Sequence, residues 1–379
     1  YVSGMFGKSF IEGVQEGHVG TSLKHYCCNN REYSRYWLSS EVDERTLREI
    51  YLKPFEIATQ AKPWTVMTSY NLVNGVRMSA NKELNKVLRD DFGFEGVIVS
   101  DWEAVQDPLD TLHSGLDLEF PHNAKHAEEM QKHLAEGRVD LECLDKSAGR
   151  IVALGQNAAA EKKLQRVQYS VEERIAISQE IEEEGIVLLK NNGVLPIREG
   201  KICVTGAPAR NYYHGNGSSA VKPNRPFVPL DEALKNLGAD AFYTESIAKA
   251  YGPLILVGNM KKACMESEQS DVTILAVGTG NGAEFESADR QNISLSKEEV
   301  DAVTFLRKHA KKLVVVVSAM GKTTNALIAM ANEASKNPNQ RELDRLLSTG
   351  EQQTIALLAM ALWDIEVPAI SLTADQVGI

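Results

Sequence analysis

Over the first 120 residues, short apolar runs alternate with longer stretches whose apolar positions recur at helical spacing. Residues 20–26 and 64–70 read as strands ending in polar residues, and residues 96–100 as a buried strand running into Asp101. Between them Leu47, Ile50, Tyr51, Phe55 and Ile57 fall near the helical period, which predicts a helix over 43–61. A second helix is predicted over 81–92, with Asn81 placed to cap it. Strands separated by helices mean βα units and a parallel sheet. In such sheets the chemistry gathers at the C-terminal ends of the strands. Lys24, His25, Tyr70 and Asp101 all fall at such ends.

Residues 134–184 read as helix, linker and helix. The polar, alanine-rich stretch at 158–163 suggests a domain boundary between 155 and 172. A second α/β section follows, with strands predicted over 186–189, 201–205, 272–277 and 313–317, and a helix over 297–309.

A chain of 379 residues is long enough for two or three domains. The apolar share of 43% and charged share of 25% are those of an ordinary globular protein. A net charge of −11 argues against a nucleic-acid partner, which needs a basic surface, and fits a neutral small molecule such as a sugar. No apolar run is long enough to span a membrane. The five cysteines, two of them adjacent, form no CxxC pair and read as reduced core thiols rather than a disulfide framework or zinc site. The expectation is a cytoplasmic protein with no metal and no cofactor. The chain starts at Tyr1 rather than Met, without a signal-peptide pattern.

On the residues alone, each candidate has two readings. Asp101 closes an apolar strand, where a carboxylate is costly unless it serves a site or is fully paired; it could equally cap the segment that follows. Lys24 and His25, at a strand end, are either binding groups or a solvated or satisfied polar pair. Trp102 is a sugar-stacking wall or a core aromatic. The glycine-rich turn at 278–282 lacks the spacing and the lysine of a phosphate-binding loop.

Longer motifs decide between these. Residues 66–75, 88–102 and 114–121, with Ser-Asp-Trp at 100–102, resemble in order the signature of the family 3 glycoside hydrolases. That resemblance implies Asp101 as the nucleophile. Lys24-His25 followed by residues 29–35 is similar to the family's sugar-binding stretch and implies Lys24, His25 and Arg35 as hydrogen-bonding partners of the sugar hydroxyls. Met67 and Tyr70 match positions lining the same subsite, and Trp102 supplies an aromatic wall. Residues 284–290 resemble the family's Glu-x-Glu-Gly-x-Asp-Arg motif, which implies Glu286 as general acid/base, with Glu284 the competing assignment. Ser287 stands where the family usually has glycine. Residues 215–219 resemble the family's second-domain glycine-rich loop, and Ser218 is the match. The implied chemistry is retaining hydrolysis of a β-glycoside, with two carboxylates about 5–5.5 Å apart.

The resemblance implies a barrel that begins about a hundred residues before the point matching Tyr1, and hence a truncated, weak or inactive glycosidase. From Val314 the chain instead resembles the amino-acid kinase fold of aspartate kinase, which implies Ser318 and Glu351 as aspartate contacts. The expected fold class is therefore α/β: a partial (β/α)8 TIM-type barrel over 1–155, a linker over 156–175, an α/β sandwich domain over 176–316 and an aspartate-kinase-like fragment over 317–379. The expected partner is a small-molecule glycoside. Two other readings stand beside it: a non-catalytic chimeric fragment, and an aspartate kinase relative that phosphorylates L-aspartate with ATP.

Overall fold

The computed structural model describes residues 1–166, 168–213, 217–220, 223, 226–246, 253–278, 285–289 and 294–317. The chain divides into two compact units, Tyr1–Gln179 and Glu180–Ile379.

The first unit is built on four parallel strands, β1 (Ser22–Tyr26), β2 (Thr65–Thr68), β3 (Val97–Trp102) and β4 (Leu118–Phe120), in the order β1-β2-β3-β4. Among the described residues they form an open sheet, not a closed barrel. Leu23 lies opposite Val66, Val66 opposite Ile98, and Val99 opposite Leu118, so all four C-terminal ends share one rim. One face is covered by the helical crossovers: Val66 and Ile98 join a core with Leu47, Leu52, Leu84 and Leu88. The helix predicted over 43–61 forms as Glu44–Thr46, a π-helical turn Leu47–Leu52, and Lys53–Thr59. The helix Lys82–Lys86 is capped as expected, with Leu84 N donating to Asn81 Oδ1 at 3.1 Å.

A buried carboxylate ties this sheet to its outer helix. Asp117 has no exposed side chain and accepts from the backbone N of Ile98 at 2.8 Å, Arg89 at 2.5 Å, and Ser147 and Arg150 at 2.9 Å. Arg150 and Ser147 belong to the helix Leu141–Glu161. Against the sequence reading, this helix runs straight through the alanine-rich stretch to Glu161, and the next begins at Val171. Alanine, glutamate and lysine are strong helix formers, so a polar stretch of them extends a helix rather than breaking it.

The second unit carries another parallel sheet, of β5 (Lys201–Thr205), β6 (Asp240–Thr244), β7 (Val272–Val277) and β8 (Leu313–Val317), in the order β8-β7-β5-β6. Alternate residues of β7 serve opposite faces. Ile274 and Ala276 pack toward Leu230 and Leu234 of the helix Leu230–Asn236. Leu275 and Val277 pack against Ala263, Cys264, Ala302 and Leu306 of the helices Pro253–Glu268 and Lys297–His309. This is a three-layer α/β sandwich. The helix at 297–309 matches its expected bounds and begins with a capping box between Ser296 and Glu299.

One predicted strand does not form. Residues 186–189 have no regular structure, and Ile186 is 74% exposed. A strand needs a neighbour for its backbone groups, and no described strand pairs with this run. Four of the five cysteines are buried, Cys143 is half-buried, and all are free thiols.

Candidate active site

The rim of the first sheet gathers most of the expected site. Asp101 is the fifth residue of β3 and is 9% exposed. Its Oδ1 accepts the backbone N–H of Trp102 at 2.7 Å, and His25 Nε2 lies 3.5 Å from Oδ2. Tyr70, from the loop after β2, faces the same carboxylate and Tyr36, and both raise the pKa of its hydroxyl. Three strand ends thus converge on one carboxylate. Burial, Tyr36 and the Asp101 charge all push the Tyr70 phenol well above its usual range, so it stays a proton donor.

Arg35 comes from the loop after β1 and is buried. Its guanidinium sits 4.3 Å over the Tyr70 ring and pairs with Glu32 at 2.8 Å. The Tyr36 ring lies 4.4 Å from that of Tyr70. His25 titrates below its usual range: burial disfavours its cation more than Asp101 favours it, and Lys24 and Arg35 add to the lowering. A neutral ring next to a carboxylate can still donate one hydrogen bond, to that carboxylate or to a hydroxyl. Lys24 is exposed on β1 beside it. Met67 is half-buried on β2 opposite Val99, two residues before Asp101. Trp102 is 59% exposed, and its ring runs parallel to that of Phe120, with centroids 6.5 Å apart and planes 5° apart. That pair is a flat apolar platform at the ends of β3 and β4, suited to a sugar face.

The second unit places its candidates by the logic of doubly wound sheets, in which the crevice opens where the strand order reverses. Here that point lies between β5 and β7. Gly206 ends β5 at φ 95°, and a Cβ there would stand 2.0 Å from the carbonyl oxygen of Ala276 on β7, so only glycine lets the loop leave. The loops after these two strands meet: the backbone N of Ser218 donates to Glu286 Oε2 at 2.7 Å. Glu286 is half-buried on a tight turn in which Phe285 and Ala288 bridge and Ala288 N donates to Phe285 O at 3.3 Å. Ser287, at the position where a glycine is usual, takes φ 70°. This is the third residue of a type II-like turn, where a side chain is strained.

His25, Asp101, Tyr70 and Arg35 are therefore brought together, and Ser218 with Glu286. Glu284, Ser318 and Glu351 lie outside the described residues. Tyr36, Glu32, Phe120 and Gly217 were not singled out from the sequence. Tyr36 and Glu32 flank Arg35, where a search for aromatics and acids would have flagged them; Phe120 meets Trp102 only through the pairing of β3 with β4. Among the described residues there is no cluster of three metal-binding side chains and no helix long and apolar enough to cross a membrane.

Residues 1–154 match the glycosyl hydrolase family 3 N terminal domain, and residues 186–336 the glycosyl hydrolase family 3 C-terminal domain. The second match runs past the valine-rich strand at which the aspartate kinase resemblance begins. An exo-alpha-(1->6)-L-arabinopyranosidase of Bifidobacterium breve is 32% identical over 332 residues, 84% of this chain and 44% of that protein. Thermostable beta-glucosidase B of Acetivibrio thermocellus is 33% identical over 330 residues, 84% of this chain and 43% of that protein. A family 3 beta-glucosidase of Bifidobacterium adolescentis has a crystal structure similar at a TM-score of 0.75 and 31% identity, over 82% of this chain and 46% of that one. The chain thus spans less than half the length of these relatives. Two successive domain matches from one family, covering most of the chain, place it: the chain belongs to glycosyl hydrolase family 3.

Proposed function

We propose that the chain carries the catalytic core of a retaining β-glycosidase of the β-glucosidase kind, with Asp101 as nucleophile and Glu286 as acid/base. The observation that carries this reading is the surroundings of Asp101, a carboxylate at a strand end with the Trp102 amide, His25 of β1 and Tyr70 of the loop after β2 around it. In the first step an Asp101 oxygen attacks the anomeric carbon. The bond to the leaving oxygen breaks, and that oxygen takes a proton from Glu286. In the second step water attacks the same carbon, Glu286 takes its proton back, and the Asp101 ester bond breaks. Lys24, His25 and Arg35 bind the sugar hydroxyls, Tyr70 steadies the nucleophile, and Trp102 stacks on the sugar beyond.

The test is hydrolysis of 4-nitrophenyl β-D-glucopyranoside followed by proton NMR. The β-anomer appearing first supports retention; the α-anomer first would remove the covalent mechanism. The arabinopyranosidase relative favours a second substrate. An α-L-arabinopyranoside presents its leaving group like a β-D-hexoside and lacks the exocyclic hydroxymethyl group. Faster turnover of 4-nitrophenyl α-L-arabinopyranoside than of the glucoside would reassign the sugar while keeping the mechanism.

A further inference from the structure

We infer that Gly217 is a positioning residue for the acid/base carboxyl; this rests on the proposed role of Glu286. Ser218 N–H holds Oε2 at 2.7 Å. A backbone N–H can only donate, so this bond fixes the position of Oε2 and with it the plane of the carboxyl group. The amide reaches that oxygen because the residue before it has no side chain. Gly217 has φ 71°, and a Cβ built there would lie 2.6 Å from Glu286 Cβ and 2.7 Å from Glu286 Oε2. Both distances are far inside van der Waals contact. Neither loop can yield without losing the bond, since the atom struck first is Cβ of Glu286, close to the backbone, and not the end of a flexible chain. Any side chain at 217 therefore moves the carboxyl away from the amide.

A general acid matters only when the leaving group needs a proton, and this makes the inference separable from a folding effect. Four forms of the protein are compared: the parent, Gly217→Ala, Gly217→Asn and Glu286→Ala. Each is assayed for kcat/KM on phenyl β-glucoside, a poor leaving group, and on 2,4-dinitrophenyl β-glucoside, which leaves unprotonated. Both Gly217 variants are expected to lose about tenfold or more on the phenyl substrate while changing little on the dinitrophenyl one, as the loss of a positioned acid requires. Retained activity on the activated substrate shows that the variants fold. Asparagine tolerates positive φ better than alanine, so equal losses point to the collision with Glu286. An asparagine variant that is spared would reduce the role of Gly217 to backbone conformation and overturn the inference. So would equal losses on both substrates, or none. If Glu286→Ala itself shows no leaving-group selectivity, the acid/base assignment fails first, and the inference falls with it.

Discussion

The two carboxylates assigned to the proposed mechanism, one in each unit, sit in contrasting surroundings. Asp101 belongs to a strand whose preceding four residues are all buried, and it meets a backbone amide, a phenol and an imidazole that arrive from three different parts of the sheet rim. Glu286 stands on a turn between exposed neighbours and accepts the backbone amide of Ser218 from the adjoining loop. The difference matches the proposed tasks. A nucleophile must approach one carbon along one line, so fixing it saves the most activation entropy. An acid/base meets leaving groups of different shape and then a water, and a loop can follow them.

This comparison can be broken at several places. The largest effect is expected at the fixed end. Asp101→Asn keeps the shape and removes the attacking oxygen anion, so hydrolysis of 4-nitrophenyl β-glucoside should fall on the order of 10^5–10^6-fold, as when other enzymes lose their nucleophile. Activity within tenfold of the parent would take Asp101 out of the mechanism.

Next comes the foundation of that rigid half. Asp117 is buried under β3, with two arginines, a serine and the Ile98 amide on its oxygens. Burial lowers the Arg89 guanidinium to about 10, still charged at neutral pH, with Asp117 opposing that fall. Replacing Asp117 by alanine leaves two cations facing a void, and urea unfolding should show a loss of about 3–5 kcal/mol. A loss below about 1 kcal/mol would mean that the network is solvated.

At the loop-borne carboxylate the expected change has the opposite sign. Ser287 pays for its positive φ. Ser287→Gly should stabilise the second unit by about 1 kcal/mol, the usual cost of a side chain in the left-handed region. A rise in its unfolding midpoint checks this, and a fall would mean that the serine side chain contributes more than its strain costs.

The smallest effect is one of pH. His25 faces Asp101 and Glu32, which raise its pKa, and Lys24 and Arg35, which lower it, while burial dominates and leaves it below the usual value. Below about pH 6.5 the unfolded chain takes up a proton that the folded ring resists, so stability falls as the pH drops from there toward the folded value. His25→Gln should flatten that slope in urea midpoints taken between about pH 7 and 5. An unchanged slope would place the proton uptake elsewhere.

Much of the rigid half was legible in the sequence, because its logic is local. An apolar triplet at 97–99, followed by Ser-Asp-Trp, fixes both a buried strand and the position of its carboxylate. Asn81 announces its helix through a cap. The same local reasoning misread residues 186–189, since four apolar residues suit a strand only where another strand stands alongside. It also missed β6, whose residues Asp240–Thr244 mix Ala, Phe, Tyr and Thr without a clean apolar run. The bond between Ser218 and Glu286 spans 68 positions. No spacing rule connects them, and the need for glycine at 217 exists only once the two loops have met. Arg35 over Tyr70 was half legible: both residues were named, but their stacking was not.

The most direct test of the account is to trap the intermediate. Incubation with 2,4-dinitrophenyl 2-deoxy-2-fluoro-β-D-glucoside should leave the protein heavier by one fluoroglucosyl group, because the fluorine slows both steps while the good leaving group speeds only the first, so the intermediate accumulates. Peptide mapping by mass spectrometry should then find the ester on Asp101, within the segment that contains Ser100 and Trp102. An adduct on another carboxylate, or dinitrophenol released continuously with no adduct at all, would contradict a covalent mechanism through Asp101.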